Sequence, residues 1–331
     1  MLGFTWRLVP FVAAWSTALT AAHVFFGLEW LRAPGMLVAV IGTAVSFYLG
    51  FKGSAAYDRL WEARKIWGGI VNTSRTWGIA VRTLVSDAHL GAGQEPTPPI
   101  DEVHRELIYR HIAWLAALRT QLRRRKPWEH DADLNNQYRR LFGTHDNSDE
   151  ILRQRVEPFV GGEELEALMA QKNRATQLIR RQAERLQQLY GSGRIESFRH
   201  MELVRLLETM FTLQGKCERL KNFPLPRQYA SANHWFVHIF IAVLPFGLLS
   251  SLHVDGLGES FVWLTVPGSI VVGWMFYMWD QVLDYSENPF EGLVNDIPMT
   301  ALSRTIEIDL REFLGERELP AAIESHNDVL M

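Results

Sequence analysis

The chain has 331 residues, 34 Lys and Arg against 37 Asp and Glu, a net charge of −3 and a single cysteine, Cys217. That near balance leaves no basic footprint for nucleic acid. One cysteine excludes an intramolecular disulfide framework and a Cys-based zinc site within one chain.

The average charge conceals an uneven distribution. Charged residues are absent from four windows, 8–28, 33–51, 228–254 and 260–279. A helix needs roughly 20 mainly apolar residues to cross a hydrocarbon core of about 30 Å. Four membrane spans are therefore expected, at about 8–28, 33–51, 230–252 and 260–280. The first window is longer than the apolar part of a signal peptide, and no small-residue cleavage site follows it, so it reads as a retained anchor. Trp6 and Trp30 bracket it as interfacial aromatics do.

The link 29–32 carries one basic residue and the link 255–259 none, whereas Lys52, Arg59, Arg64 and Lys65 follow the second span and Arg219, Lys221 and Arg227 precede the third. The positive-inside rule then puts both termini and the polar middle in the cytoplasm. The expected division is a first hairpin at 1–52, a helical cytoplasmic region at 53–227, a second hairpin at 228–282 and a cytoplasmic segment at 283–331.

From Phe51 to Val85 there is no proline, and large aromatics recur at three- and four-residue spacing. The second span is expected to continue beyond the membrane as one helix, buried on one side. A Gly/Pro-rich break spans 91–99. Asp101 is then expected to cap a helix that ends by Pro127. The stretch 129–150 reads as a loop with short turns, and 163–190 as one charged amphipathic helix ended by Gly191 and Gly193. Helices at 196–221 and 299–314 follow. The class is all-α.

Few residues suggest chemistry. His104 and His111 lie on one helix without the further ligands zinc demands, and read as surface or interface histidines. Arg123, Arg124, Arg125 and Lys126 read as a solvated helix end, with cations favourable near its C-terminus. Asp280, Asp284 and Glu287 fall on one face and are expected to pair with bases of the cytoplasmic helices. Cys217 reads as buried filler. No Walker loop, dinucleotide fingerprint, nucleophile elbow or His-Glu-x-x-His occurs. Neither enzymatic activity, nor a cofactor, nor a metal is expected.

Two long stretches carry a resemblance. Gly50-Phe51-Lys52, Ala56-Tyr57-Asp58-Arg59, Trp61-Glu62 and Arg64-Lys65-Ile66-Trp67-Gly68 follow the "GFRxxxAYDRxWExRKxWG" run of prokaryotic bestrophin-like proteins. Glu287-Asn288-Pro289-Phe290, Asn295-Asp296-Ile297-Pro298 and Arg304-Thr305-Ile306-Glu307 resemble that family's "ENPF…NDLP…RTIE" region, and Cys217-Glu218-Arg219 with Pro224-Leu225-Pro226 fits its "CERI…TPLP" segment.

The resemblance implies a homopentameric channel in the inner (plasma) membrane, partnered by copies of itself, the bilayer and monovalent ions. The family as a whole implies chloride or other anions, and prokaryotic members imply cations as well. The second span would line the pore. Counting back from Glu62 puts the family's hydrophobic neck on Val40, Ala44 and Tyr48, with Ile41 or Val45 as substitutes because Ala44 is small. Counting back from Cys217 puts a cytoplasmic aperture at Met201, or at Ile195 or Phe198 if the loop has shifted.

Tyr57, Arg59, Glu62, Trp67, Asn288, Pro289 and Phe290 are expected to be structural. Eukaryotic members follow "NPF" with a run of aspartates that binds activating Ca²⁺. Here 291–296 offers only Glu291 and Asp296, too few for a hard cation's six to eight oxygens. Asp58 and Glu62 are available to draw cations toward a vestibule, or to pair with Arg59, Arg64 or Lys65. The alternative is a non-conducting membrane scaffold whose cytoplasmic helices bind a partner protein.

Overall fold

The computed structural model describes residues 8–90, 97–130, 133–141, 147–252, 259–326 and 329–330; Trp6 lies outside them. Among the described residues there are eleven α-helices and no strand. In chain order they are α1 Leu8–Phe26, α2 Gly35–Leu84, α3 Ile100–Arg123, α4 Asp133–Leu141, α5 Asp149–Val156, α6 Gly162–Met169, α7 Arg174–Gly191, α8 Ser197–Asn222, α9 Arg227–Leu252, α10 Thr265–Ser286 and α11 Met299–Phe313. They divide into two compact units, Met1–Arg59 with Pro224–Glu287, and Leu60–Phe223 with Asn288–Met331.

The first unit holds α1, the beginning of α2, α9 and α10. Four helical segments here are long and apolar enough to cross a membrane: Leu8–Phe26, the stretch containing α2, Ser231–Leu252 and Ser260–Ser286. Only 22% to 39% of each one's most apolar window is buried. Water would not tolerate so much exposed hydrocarbon on one surface, so this unit is built for lipid or for partner helices. Its interior joins Val12 of α1, Val38, Val45 and Leu49 of α2, and Val237, Phe240, Ile241 and Leu244 of α9. Small residues let these helices approach closely. A Cβ placed on Gly247 would stand 2.7 Å from the Cβ of Val38, and one on Gly42 would stand 2.8 Å from the Phe240 ring.

The second unit has a conventional core. Trp67, Ile70, Trp77 and Val81 of α2 join Leu107, Ile108, Leu115 and Leu118 of α3, with Leu178 and Leu186 of α7 and Leu203 of α8. The helix after the second span thus runs to Leu84, as its aromatic spacing implies.

Three local expectations need correction. Asp101 does not cap α3; Pro99 holds the cap position without a side-chain bond. Asp101 sits in the first turn and ion-pairs with Arg82 at 3.0 Å. The stretch 163–190 is two helices, because Asn173 accepts a hydrogen bond from the Thr176 amide and starts a new one. Within 129–150, the described part forms α4 and the start of α5.

Candidate functional site

In the first unit, α2 buries one face and leaves the other bare. Val38, Gly42, Val45, Leu49, Lys52 and Ala56 point inward. Val45 is buried and Ile41 packs against the same cluster, so neither belongs to an exposed pore row. Val40 (61% exposed), Ala44 and Tyr48 (43%) lie outside that packing. Tyr48 is partly held, its ring centroid 5.3 Å from that of Phe236. A second four-spaced row runs beside it: Thr43, Phe47 (65% exposed) and Phe51 (64%). Its two phenylalanines make it the bulkier row. Counting from the motif missed it, whereas the spacing of buried against exposed positions along α2 reveals it.

Lys52 is the first inward residue after the charge-free stretch, and its side chain is 1% exposed. Its ammonium lies 3.0 Å from Asp280 Oδ1 and 3.3 Å from Asp284 Oδ1, both on α10. These carboxylates were expected to pair with bases of the cytoplasmic helices. Their cation is instead the lysine ending the second span. An ionised group buried beside hydrocarbon must find an opposite charge within its own unit. His234 of α9 completes the group, with Nδ1 3.2 Å from Asp280 Oδ2. Arg59 follows and donates from Nε to the Glu287 carbonyl at 2.9 Å. Tyr57 is exposed.

The remaining predicted residues belong to the second unit. On α8, Met201 (51% exposed) and Phe198 (79%) are both accessible. Ile195 is buried and cannot line an aperture. Glu62 pairs with Arg219 of α8 rather than with its sequence neighbours Arg59, Arg64 or Lys65. Trp67 is fully buried.

Asn288, Pro289 and Phe290 are buried at the start of a tight, highly charged loop. Asn288 Nδ2 donates to Glu291 Oε1 at 2.8 Å. His130 Nδ1 is 2.9 Å from Glu291 Oε2, and Arg139 Nη2 is 3.7 Å away. Gly292 has φ 86, a value that favours glycine, and its amide donates to Asp296 together with that of Leu293. Arg123 reaches Asp296 at 3.0 Å, and both side chains are 2% exposed. Arg123 is therefore an interior group, not part of a solvated helix end. Burial pushes the Asp296 pKa up to about 6, against the pull of Arg123. Lys221 pairs with Glu129 nearby. The acidic side chains of this loop, Glu291 and Asp296, and the nearby Glu129 each already face a protein cation.

His104 and His111 are buried rather than superficial. His104 bonds through Nε2 to the Val85 carbonyl at 2.9 Å, and Arg82 Nη1 lies 2.9 Å from its Nδ1. His111 bonds to the Ser74 hydroxyl and packs between Trp77 and Trp114. No group of three or more metal-binding side chains occurs among the described residues. Cys217 is buried, and burial raises its thiol pKa far above the ordinary value.

Three comparisons bear on this arrangement. The family model described as Bacterial/Fungal Bestrophin protein matches residues 5–312. A protein of Escherichia coli strain K12, named voltage-dependent anion channel-forming protein YneE, is 26% identical over 324 residues, covering 98% of this chain and 88% of its own. A Mesorhizobium japonicum protein named voltage-dependent anion channel-forming protein mll4386 is 28% identical over 321 residues, covering 95% and 88%. A crystal structure of a bacterial bestrophin homolog from Klebsiella pneumoniae superposes with TM-score 0.75 at 21% identity, covering 94% of this chain and 98% of that one. These matches span nearly the whole length, so the similarity takes in both units.

Proposed function

This chain belongs to the bacterial and fungal bestrophin family, and on that premise we propose that it is an ion channel assembled from five copies around one axis. The observation that carries the proposal is the bare face of α2. It has four-spaced side chains with little packing inside their own unit, in a segment without charge, in a family whose relatives are named anion channel-forming. Five such faces around an axis would turn each residue into a ring, the closed symmetry usual for homo-oligomers. Narrow apolar rings gate by shedding water, and an ion cannot pass without its hydration.

Within that pore we assign the tightest constriction to Thr43, Phe47 and Phe51, with Val40, Ala44 and Tyr48 on its flank. The phenylalanines are bulkier than Ala44, and Tyr48 already leans on Phe236. Aromatic edges are electropositive and soften an apolar barrier for anions. Lys52 adds no free charge to the pore, being neutralised by Asp280 and Asp284. Anions are therefore the proposed permeant class, as the names of the relatives suggest. Met201 and Phe198 are the residues proposed for a second aperture. The distribution of basic residues supports cytoplasmic termini and a helical cytoplasmic region at 53–227, and the inner membrane is the proposed location.

The test is a planar-bilayer recording of purified protein under a salt gradient. An anion-selective reversal potential, with current raised by Phe47→Ala and Phe51→Ala, is the expected result. Larger effects from Ala44→Phe and Tyr48→Ala would return the neck to the row counted from the motif. If current is absent, or insensitive to both rows, the pore reading fails.

A further inference from the structure

The second unit has a half-open cavity of about 370 Å³ between α3, α5 and α11. Four arginines line it: Arg119, Arg155, Arg304 and Arg311, against one acidic residue, Glu307. Their partners are unequal. Arg311 bonds Glu316 at 2.6 Å and approaches Glu307 at 3.5 Å. Arg304 pairs with Glu307 at 3.2 Å, and Arg155 is held by several contacts that include the Thr120 hydroxyl at 3.0 Å and Asn147 Oδ1 at 3.4 Å. Arg119 makes no hydrogen bond or ion pair with any described residue.

Arg119 is half-buried, and guanidinium groups withdrawn from water are ordinarily paired. Here burial, and then the repulsion of Arg155, Arg123 and Arg304, pushes the Arg119 pKa down to about 9. The folded chain has thus gathered four guanidinium groups around one space, and of these Arg119 lacks a hydrogen-bonded or ion-paired partner among the described residues. The floor of that space is apolar: Tyr109 and Phe159 meet edge to face, with ring centroids 5.5 Å apart.

We propose that this cavity is a binding site for a phosphate-bearing anion, with Arg119 as its principal ligand and Arg155 and Arg304 beside it. A guanidinium fork matches two oxygens of one phosphate, and charge-assisted pairs of this kind are strong. The cavity is many times the roughly 30 Å³ share of a water molecule, so it admits a phosphate ester as well as inorganic phosphate. Its aromatic and aliphatic floor suits the ester's organic part. The ligand is either a soluble phosphate ester or the headgroup of an anionic lipid, and the chemistry recognised is the same.

The test uses the full-length protein and thermal unfolding, so it stands whether or not the protein conducts. At constant ionic strength, inorganic phosphate and phenyl phosphate should raise Tm saturably in detergent, and chloride should not. Nanodiscs containing phosphatidic acid, compared with phosphatidylcholine alone, test the lipid source. A response to phenyl phosphate assigns a soluble ligand, and a response only to phosphatidic acid assigns a headgroup. Arg119→Met should weaken the response about tenfold or more, as loss of one charge-assisted contact does. The same variant should melt higher than wild type without ligand, because it removes an unpaired, half-buried charge crowded by neighbouring arginines. Absence of response to all three phosphate probes, an equal response to chloride, or an Arg119→Met variant that melts lower without ligand would each overturn the proposal.

Discussion

His111 gives its Nε2 hydrogen to the Ser74 hydroxyl across 2.9 Å, and Ser74 in turn donates to the Ile70 carbonyl at 2.7 Å. Because the serine hydrogen is committed to Ile70, the serine oxygen can only accept from the imidazole. The ring is held neutral, and burial depresses its pKa from 6.5 to about 3. The folded state therefore refuses a proton that the unfolded state accepts below pH 6.5. Stability contributed by this group is complete above pH 6.5 and falls as pH drops toward 3. At pH 5 the loss is about 2 kcal/mol by linkage. Melting curves between pH 8 and pH 4 should show it, and His111→Gln should flatten the profile relative to wild type. An unchanged slope in the variant would mean that other groups carry the acid sensitivity.

The Lys52–Asp280 pair makes a second prediction. Lys52→Met strands a buried carboxylate and should cost about 3–5 kcal/mol. Adding Asp280→Leu should restore most of that loss, because the apolar pair no longer leaves a lone charge. Thermal unfolding of the single and double variants gives the comparison. A double variant less stable than the single one would refute this account.

Helix contact in the first unit depends on Gly247. A methyl group there would stand 2.7 Å from Val38 Cβ, an atom close to the backbone that cannot swing aside. Gly247→Ala should cost about 1–3 kcal/mol through overpacking. Gly215→Ala on α8, where nothing lies within 4 Å of the added methyl, should be neutral or stabilising by about 0.5–1 kcal/mol. Both can be read as changes in Tm.

The loop after Phe290 predicts indifference to calcium. Glu291 and Asp296 are held by His130, Arg139 and Arg123, and a divalent cation would have to evict them. Current and Tm should be the same in excess chelator and in millimolar-range Ca²⁺. Arg123→Gln, by contrast, should destabilise the fold by about 3–5 kcal/mol, since Asp296 would lose its buried partner.

Much of this architecture was legible before any coordinates. The four spans announce themselves as charge-free windows, and α2 continues past the membrane because nothing between Phe51 and Val85 breaks a helix. The break at Asn173 was not legible, since an asparagine inside a polar helical pattern looks like any other surface residue until its side chain bonds Thr176. Burial of His104 and His111 was hidden for a different reason. Ser74, Val85 and Arg82 satisfy them from another helix or its end, and that proximity exists only after folding. The arginine cavity was equally invisible, because Arg119, Arg155, Arg304 and Arg311 are scattered along the chain. The motif points to the second span, whereas the exposed Phe47 row beside the Ala44 row shows only in the pattern of exposure.

The separation of Lys52 from Asp280 has a consequence for biogenesis. The two lie 228 positions apart. At about 5–20 residues per second of synthesis, the lysine waits roughly 10–50 s for its counter-ion. Throughout that interval the first hairpin carries an ammonium that cannot yet be buried. A nascent chain stopped short of residue 280 therefore keeps the Lys52 ammonium without the two carboxylates that hold it in the folded unit.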